Sequence, residues 1–165
     1  MPPRNHKQWS SAPRIEAISS RAYNNYEVYK QEQELIFSKV WVPMCHISEM
    51  YDTGEFRTTQ IAGVNVIAVN DYNGVRAFRD HPIQQVSGCL SCPYGGNEIH
   101  CEGKHGGMVW VTLDPNPTQS VEEWTAGAFD CIADAIDTEE LEVFHYHKAV
   151  IDTNYKLWHD TNSEF

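Results

Sequence analysis

The chain has 165 residues, of which 41% are hydrophobic and 12% aromatic, and 12 Lys and Arg against 23 Asp and Glu give a formal net charge of −11. This length predicts one domain, or one domain and the start of a second, and the apolar fraction is enough for a core. The acidic balance argues against nucleic acid as a ligand, because phosphate binding depends mainly on Lys and Arg.

The N-terminal residues 1–24 are predicted to form an arm, because the first twenty or so positions are rich in Ser, Pro and Arg and show no periodicity. The arm has no apolar stretch of the kind found in secretory signals, and no part of the chain offers the ~20 apolar residues of a membrane helix. We therefore expect a cytoplasmic protein that does not bind membranes. Helical spacing follows from Asn25 to Trp41, with Asn25 as N-cap and Pro43 just beyond the helix end.

A β-rich region comes next. Residues 56–61 and 64–70 are predicted strands, and Asn73-Gly74 is a strong hairpin signal before a third strand at 75–78. Two more strands are predicted at 97–102 and 108–113, after an irregular segment rich in Gly, Pro and Cys. The pattern indicates a mainly β fold with flanking helices, of the α+β class.

The last third of the chain contains a second predicted helix, which starts at Ser120 with Ser120 and Glu123 as a capping box. Its apolar face is predicted from the spacing of Val121, Trp124, Ala128, Ile132 and Ala135. Residues 141–152 are predicted to form a strand, and the form of residues 154–165 is left open.

Three of the five cysteines lie within thirteen residues, at Cys89, Cys92 and Cys101, with His105 close behind. Without an export signal such cysteines are expected to be thiols or metal ligands rather than disulfides. Cys89, Cys92, Cys101 and His105 could supply a structural zinc site, or part of an iron–sulfur site. The alternative is that Cys89 and Cys92 are ordinary loop thiols and that Cys101 packs in the core.

Two other pairs carry a weaker signal. Cys45 lies beside His46, and burial is its expected role. His145 and His147 alternate on one face of a predicted strand, a geometry that can bind metal but is more often that of two half-exposed histidines.

A series of short motifs runs through the chain. They are Gln33-Glu-Leu-Ile-Phe37, Val40-Trp41, His46-Ile-Ser-Glu49, Thr53-Gly54-Glu-Phe56, Val66-Ile-Ala-Val69, Val75-Arg-Ala-Phe78, Cys92-Pro-Tyr, Gly107-Met-Val-Trp-Val111, Leu113-Asp-Pro115 and Asn154-Tyr-Lys156. In this order they resemble the N-terminal part of the large (alpha) subunits of Rieske-type non-haem iron oxygenases. Within that family the motif sequences are most similar to those of the methanesulfonate-oxidising members.

The resemblance implies a domain organisation. Residues 25–118 would form a helix and a Rieske-like antiparallel β domain with reduced cluster loops. Residues 119–165 would form the incomplete start of a catalytic domain.

The resemblance also implies two iron centres, a [2Fe–2S] Rieske cluster and a mononuclear Fe(II). Only Cys92 matches a cluster ligand, because the chain contains no Cys-x-His and Gly95 stands where the second histidine should be. Glu164 matches the acid that bridges the two centres, and Asp160 matches the acid just before it. The two histidines of the 2-His-1-carboxylate iron site have no match, so we expect the chain to be inactive alone.

The partners implied by the resemblance are a ferredoxin and an NADH-dependent reductase, together with a small beta subunit. The implied assembly is a homotrimer or α3β3. The implied activity passes electrons from the [2Fe–2S] centre to the mononuclear iron, which activates dioxygen and hydroxylates a small substrate, for example an alkanesulfonate such as methanesulfonate.

Overall fold

The computed structural model describes residues 19–80, 96–136 and 141–162. The described residues divide into two compact units, one within residues 29–149 and a smaller one of residues 19–28 and 150–162. None of the helices in the described ranges has the length and apolar character needed to cross a membrane. The domain boundaries inferred from the sequence stay predictions.

The larger unit is built on a six-stranded antiparallel sheet with the order β1-β6-β5-β4-β3-β2. The strands are β1 (Val42–His46), β2 (Phe56–Ile61), β3 (Val64–Asp71), β4 (Gly74–Arg79), β5 (Asn97–Lys104) and β6 (Met108–Thr112). The mainly β fold with flanking helices is thereby confirmed.

Strands β2 to β4 form a meander whose period-2 pattern places alternate side chains in the core. Val66 and Ala68 of β3 are buried. In the β2–β3 pairing they lie opposite Thr59 and Arg57 of β2, respectively. The turn between β3 and β4 closes where Asp71 pairs with Gly74, at a Gly74 φ of 110°. This pairing confirms the hairpin predicted from Asn73-Gly74. Glycine suits position 74 because a residue without Cβ adopts this φ easily.

Strand β5 divides its pairing between two neighbours, and this bends the sheet towards a barrel. Residues 97–99 pair with β4, whereas residues 100–104 pair with β6. Two clusters of buried side chains fill the inside. One consists of Ile61, Val66, Ala77, Val111 and Leu113, and the other of Cys45, Met50, Ala68 and Val109.

The first helical region is shorter than predicted. It consists of α1 (Arg21–Asn24), α2 (Tyr26–Glu32) and a π-helical turn (Gln33–Phe37). The Asn25 N-cap is confirmed, since its side-chain oxygen accepts from the Glu27 N–H at 2.9 Å. The extension to Trp41 and the role of Pro43 as a helix stop are wrong, because residues 42–46 instead form β1 against β6.

The second predicted helix is two helices, α3 (Val121–Thr125) and α4 (Ala128–Ile136). The capping box is confirmed, because Ser120 Oγ accepts from the Glu123 N–H and the Glu123 carboxylate accepts from the Ser120 N–H. The break comes at Ala126, whose φ of 48° is left-handed. The single apolar face is therefore wrong: Val121 is buried, whereas Trp124 is 45% exposed.

The strand predicted at residues 141–152 is also wrong. These residues have no regular structure, and no strand of the described chain pairs with them. A strand needs such a non-local partner for its backbone hydrogen bonds. The following segment, left open from the sequence, contains the helix α5 (Tyr155–Asn162).

Candidate functional site

The buried imidazole of His46 joins the end of β1 to the His105–Gly107 turn that connects β5 to β6. Its Nε2 is in hydrogen-bond contact with the Gly106 carbonyl oxygen, and its Nδ1 lies 2.8 Å from Ser48 Oγ. The Ser48 backbone N–H points at Nδ1 from 3.2 Å. Nδ1 is therefore the acceptor and Nε2 carries the proton, so the ring is a neutral tautomer.

Gly107 packs directly on this ring. A Cβ on Gly107 would lie 2.7 Å from His46 Cε1 and 3.1 Å from Cδ2, and the φ of Gly107 is 78°. Both the close approach and the left-handed backbone demand glycine. The turn that leads into β6 is thus held by a fixed histidine and admits only a residue without a side chain.

A cleft of about 450 Å³ opens beside this turn. It is lined by Ile47, Ser48, Met50, Tyr51, Asn70, Gly106, Gly107, Leu141 and Glu142. Ser48 Oγ at its edge also accepts the Val143 N–H at 3.0 Å. Among these described lining residues Glu142 is the only carboxylate, so they supply no set of metal ligands.

Cys101 and Cys45 are held in the core of the larger unit. Cys45 is buried, and Cys101, which pairs with Val111 across β6, packs against both core clusters. Burial raises the pKa of Cys45 to about 11 and that of Cys101 to about 12. Both are expected to be protonated thiols at neutral pH. The predicted burial of Cys45 is confirmed.

The predicted metal set is only partly within the described chain. Cys101 lies on β5 and the backbone of His105 opens the turn after it, whereas Cys89 and Cys92 lie outside the described residues. Among the residues whose side chains the structure describes, which leaves out His105, no three His, Cys, Asp or Glu come together as a metal site. The zinc and cluster assignments stay predictions.

One of the two predicted acids lies in the described part of the smaller unit. Asp160 is an exposed residue of α5, and its Oδ2 accepts a hydrogen bond of 2.6 Å from the Tyr23 hydroxyl. Glu164 lies outside the described residues. His145 and His147 do not share a strand face, because no strand forms there.

Sequence reasoning missed His46, Gly107 and Tyr23 as residues that organise these regions. Gly106-Gly107 between two predicted strands was a signal for a constrained turn. Nothing in the local pattern pointed to Tyr23, because its partner Asp160 is 137 positions away.

Comparison with curated proteins gives a whole-chain relative. The methanesulfonate monooxygenase hydroxylase subunit alpha of Methylosulfonomonas methylovora is 38% identical over 218 residues, which covers 100% of this chain and 52% of the relative. The 2-aminobenzenesulfonate 2,3-dioxygenase subunit alpha of an Alcaligenes species is 27% identical and covers 88% of this chain and 47% of its own length.

The chain is homologous to Rieske-type oxygenase large subunits. It spans about half the length of these relatives. No protein-family model matches the chain. The resemblance inferred from the motifs, including the similarity to the methanesulfonate-oxidising members, is confirmed.

Solved Rieske oxygenases share the fold. Naphthalene 1,2-dioxygenase from a Rhodococcus species superposes with a TM-score of 0.73 at 20% identity, over 87% of this chain and 42% of that one. The quaternary ammonium monooxygenase CntA superposes with a TM-score of 0.61 at 20% identity, over 72% of this chain and 46% of that one.

The alignment with the methanesulfonate relative is longer than this chain. It is 218 positions long, whereas the chain contributes 165 residues, so at least 53 positions, 218 minus 165, have no counterpart here.

Proposed function

We propose that this chain is the β-domain part of the large subunit of a multicomponent oxygenase that hydroxylates a small organosulfonate. The observation that carries the proposal is the 38% identity that extends over the whole chain to a methanesulfonate monooxygenase subunit.

The substrate class is argued from the relatives. Two of them, at 38% and 27% identity over most of the chain, are named for the oxidation of a sulfonate. The carnitine monooxygenase oxygenase subunit of Escherichia coli K12, which is named for a substrate that is not a sulfonate, aligns with 67% of the chain at 27% identity. The higher identity and coverage favour methanesulfonate over the aromatic sulfonate.

The complete oxygenase in this proposal contains a [2Fe–2S] centre and a mononuclear Fe(II). Its electrons come from NADH through a reductase and a ferredoxin. A small beta subunit and a trimeric or α3β3 assembly in the cytoplasm belong to the same proposal. When bound, the iron centres supply electron transfer and oxygen activation.

The residues of this chain do not fit either iron centre by themselves. Its described part brings together no set of metal ligands. In the sequence, Cys92 is the one match to the four cluster ligands, and Gly95 replaces a histidine. We therefore propose that the isolated chain holds neither centre and is inactive.

Metal and colour analysis of the purified chain tests this step. We expect a colourless protein without stoichiometric iron or acid-labile sulfide, and with an intact mass near 18.9 kDa. A reddish-brown protein with two irons and two sulfides would contradict the ligand assignment. Stoichiometric zinc without colour would support the alternative site at Cys89, Cys92, Cys101 and His105.

A chimaera tests the oxygenase role of the β scaffold. This chain replaces the corresponding part of the Methylosulfonomonas methylovora subunit, either unchanged or with the relative's cluster loops restored between β4 and β6. The assay is NADH- and oxygen-dependent loss of methanesulfonate, with reductase and ferredoxin present. We expect activity only with restored loops; a folded, iron-loaded chimaera without activity would contradict the proposal.

A further inference from the structure

In the smaller unit, Tyr23 of helix α1 contacts helix α5 and the residue before it through its side-chain hydroxyl and its backbone carbonyl oxygen. The Tyr23 hydroxyl donates to Asp160 Oδ2 at 2.6 Å, and the Tyr23 carbonyl oxygen accepts from Asn154 Nδ2 at 2.6 Å. Asn154 also opens α5, because its side-chain oxygen accepts from the Lys156 N–H at 2.9 Å. One residue near the start of the described chain thus contacts the residue that precedes the helix and a residue in its second half.

The spacing of these two contacts matters. Asn154 and Asp160 are six residues apart, which corresponds to roughly 9 Å along a helix that rises 1.5 Å per residue. A single contact would leave α5 free to pivot, whereas two contacts at this separation restrict its direction. The side chain of Asp160 is thereby given one orientation.

Core packing cannot replace these hydrogen bonds. Helix α5 has eight residues and none of them is buried, and Trp158 is 63% exposed. An isolated helix of this length is not stable in water. Its order in the smaller unit therefore depends on polar contacts such as those of Tyr23.

The electrostatics of the pair agree with this arrangement. The hydrogen bond to Asp160 raises the pKa of Tyr23 above its ordinary value of 10.0, with burial and the negative charge of Asp160 acting in the same direction. Tyr23 therefore stays a protonated donor at neutral pH.

We propose that Tyr23 is a positioning residue, which sets the orientation of α5 and of the Asp160 carboxylate through its hydroxyl and its carbonyl oxygen. The proposal rests on the proposed function only for the role of Asp160, which matches the acid that precedes the bridging Glu164. It gives helix α1, which precedes the β domain in the sequence, a role in orienting the Asp160 carboxylate.

The first test is hydrogen–deuterium exchange on the full chain with Tyr23→Phe, which removes one oxygen atom. We expect the amides of Tyr155–Asn162 to exchange about fivefold faster, the factor for a net hydrogen bond of about 1 kcal/mol. Tyr72→Phe is the matched control, because Tyr72 is an exposed residue of the β3–β4 turn. Equal exchange of α5 in wild type and Tyr23→Phe would overturn the proposal.

The second test separates this role from a general structural effect. Tyrosinate absorbance at 295 nm, taken as the difference between wild type and Tyr23→Phe, gives the titration of Tyr23 alone. We expect a midpoint above 10 that falls towards 10 in Asp160→Asn. An unchanged midpoint in Asp160→Asn would overturn the proposal even if α5 exchange had changed.

Both readouts use the chain without iron. An inactive loop-restored chimaera would therefore overturn the oxygenase function while leaving the Tyr23 contact intact. Failure of the exchange and titration tests would overturn the positioning role while leaving the oxygenase function intact.

Discussion

Replacement of Gly107 by alanine tests how the turn before β6 is held. The new Cβ would meet the His46 ring, 2.7 Å from Cε1. The ring cannot move aside easily, because it is buried and hydrogen-bonded to the Gly106 carbonyl oxygen and to Ser48. The φ of 78° at Gly107 adds a backbone cost that any L-residue would meet.

The magnitude follows from these two terms. A left-handed alanine costs about 1 kcal/mol, and overpacking against a fixed side chain costs about 2 kcal/mol. We expect Gly107→Ala to lower the free energy of unfolding by about 3 kcal/mol. For a chain of this size that corresponds to a fall in Tm of about 6–12 °C.

Thermal and urea unfolding, followed by circular dichroism, measure this change. Gly63→Ala is the matched control, because Gly63 has nearly the same φ of 77° but no atom lies within 4 Å of the position that its Cβ would take. We expect it to cost only the backbone share, about 1 kcal/mol. Equal losses for Gly63→Ala and Gly107→Ala would show that contact with His46 does not select glycine.

A double-mutant cycle isolates the contact itself. His46→Ala removes the ring, so adding Gly107→Ala to it is expected to cost only about 1 kcal/mol, a coupling of about 2 kcal/mol. Strict additivity of the two substitutions would refute the reasoning.

Two further predictions concern the thiols and a helix cap. Iodoacetamide at pH 8 is expected to modify exposed Cys131 at least tenfold faster than Cys45 or Cys101, because burial raises the pKa of both core thiols. Mass spectrometry identifies the labelled positions. Fast labelling of Cys101 in the folded chain would contradict its place in the core. Ser120→Ala removes the acceptor for the Glu123 N–H and is expected to cost about 1 kcal/mol, or about 2–4 °C in Tm, whereas Ser120→Asp, which keeps an acceptor, is expected to retain wild-type Tm.

The β2–β4 meander could be predicted because its information is local. Alternating apolar residues define the inward face of a strand, and Asn73-Gly74 defines the turn. The same holds for the N-caps at Asn25 and Ser120, since a cap contacts a backbone group only two or three residues away.

Predictions failed where a distant partner decides the structure. Residues 42–46 form β1 because β6 pairs with them, and this pairing ends the helical region well before Trp41. Residues 141–152 have strand-like composition but form no strand, because no described strand pairs with them. In both segments the presence or absence of a pairing partner, and not local propensity, made the difference.

The sequence by itself determined the family, the meander and the capping positions, because motifs, periodicity and caps all act over a few residues. It also showed which cluster ligands have no match. Only the tertiary structure decided that Cys101 packs against both core clusters, that His46 contacts Gly107 and that Tyr23 contacts Asp160. Each of these facts depends on a contact between residues that are far apart along the chain, and the pattern around one residue carries no information about such a partner.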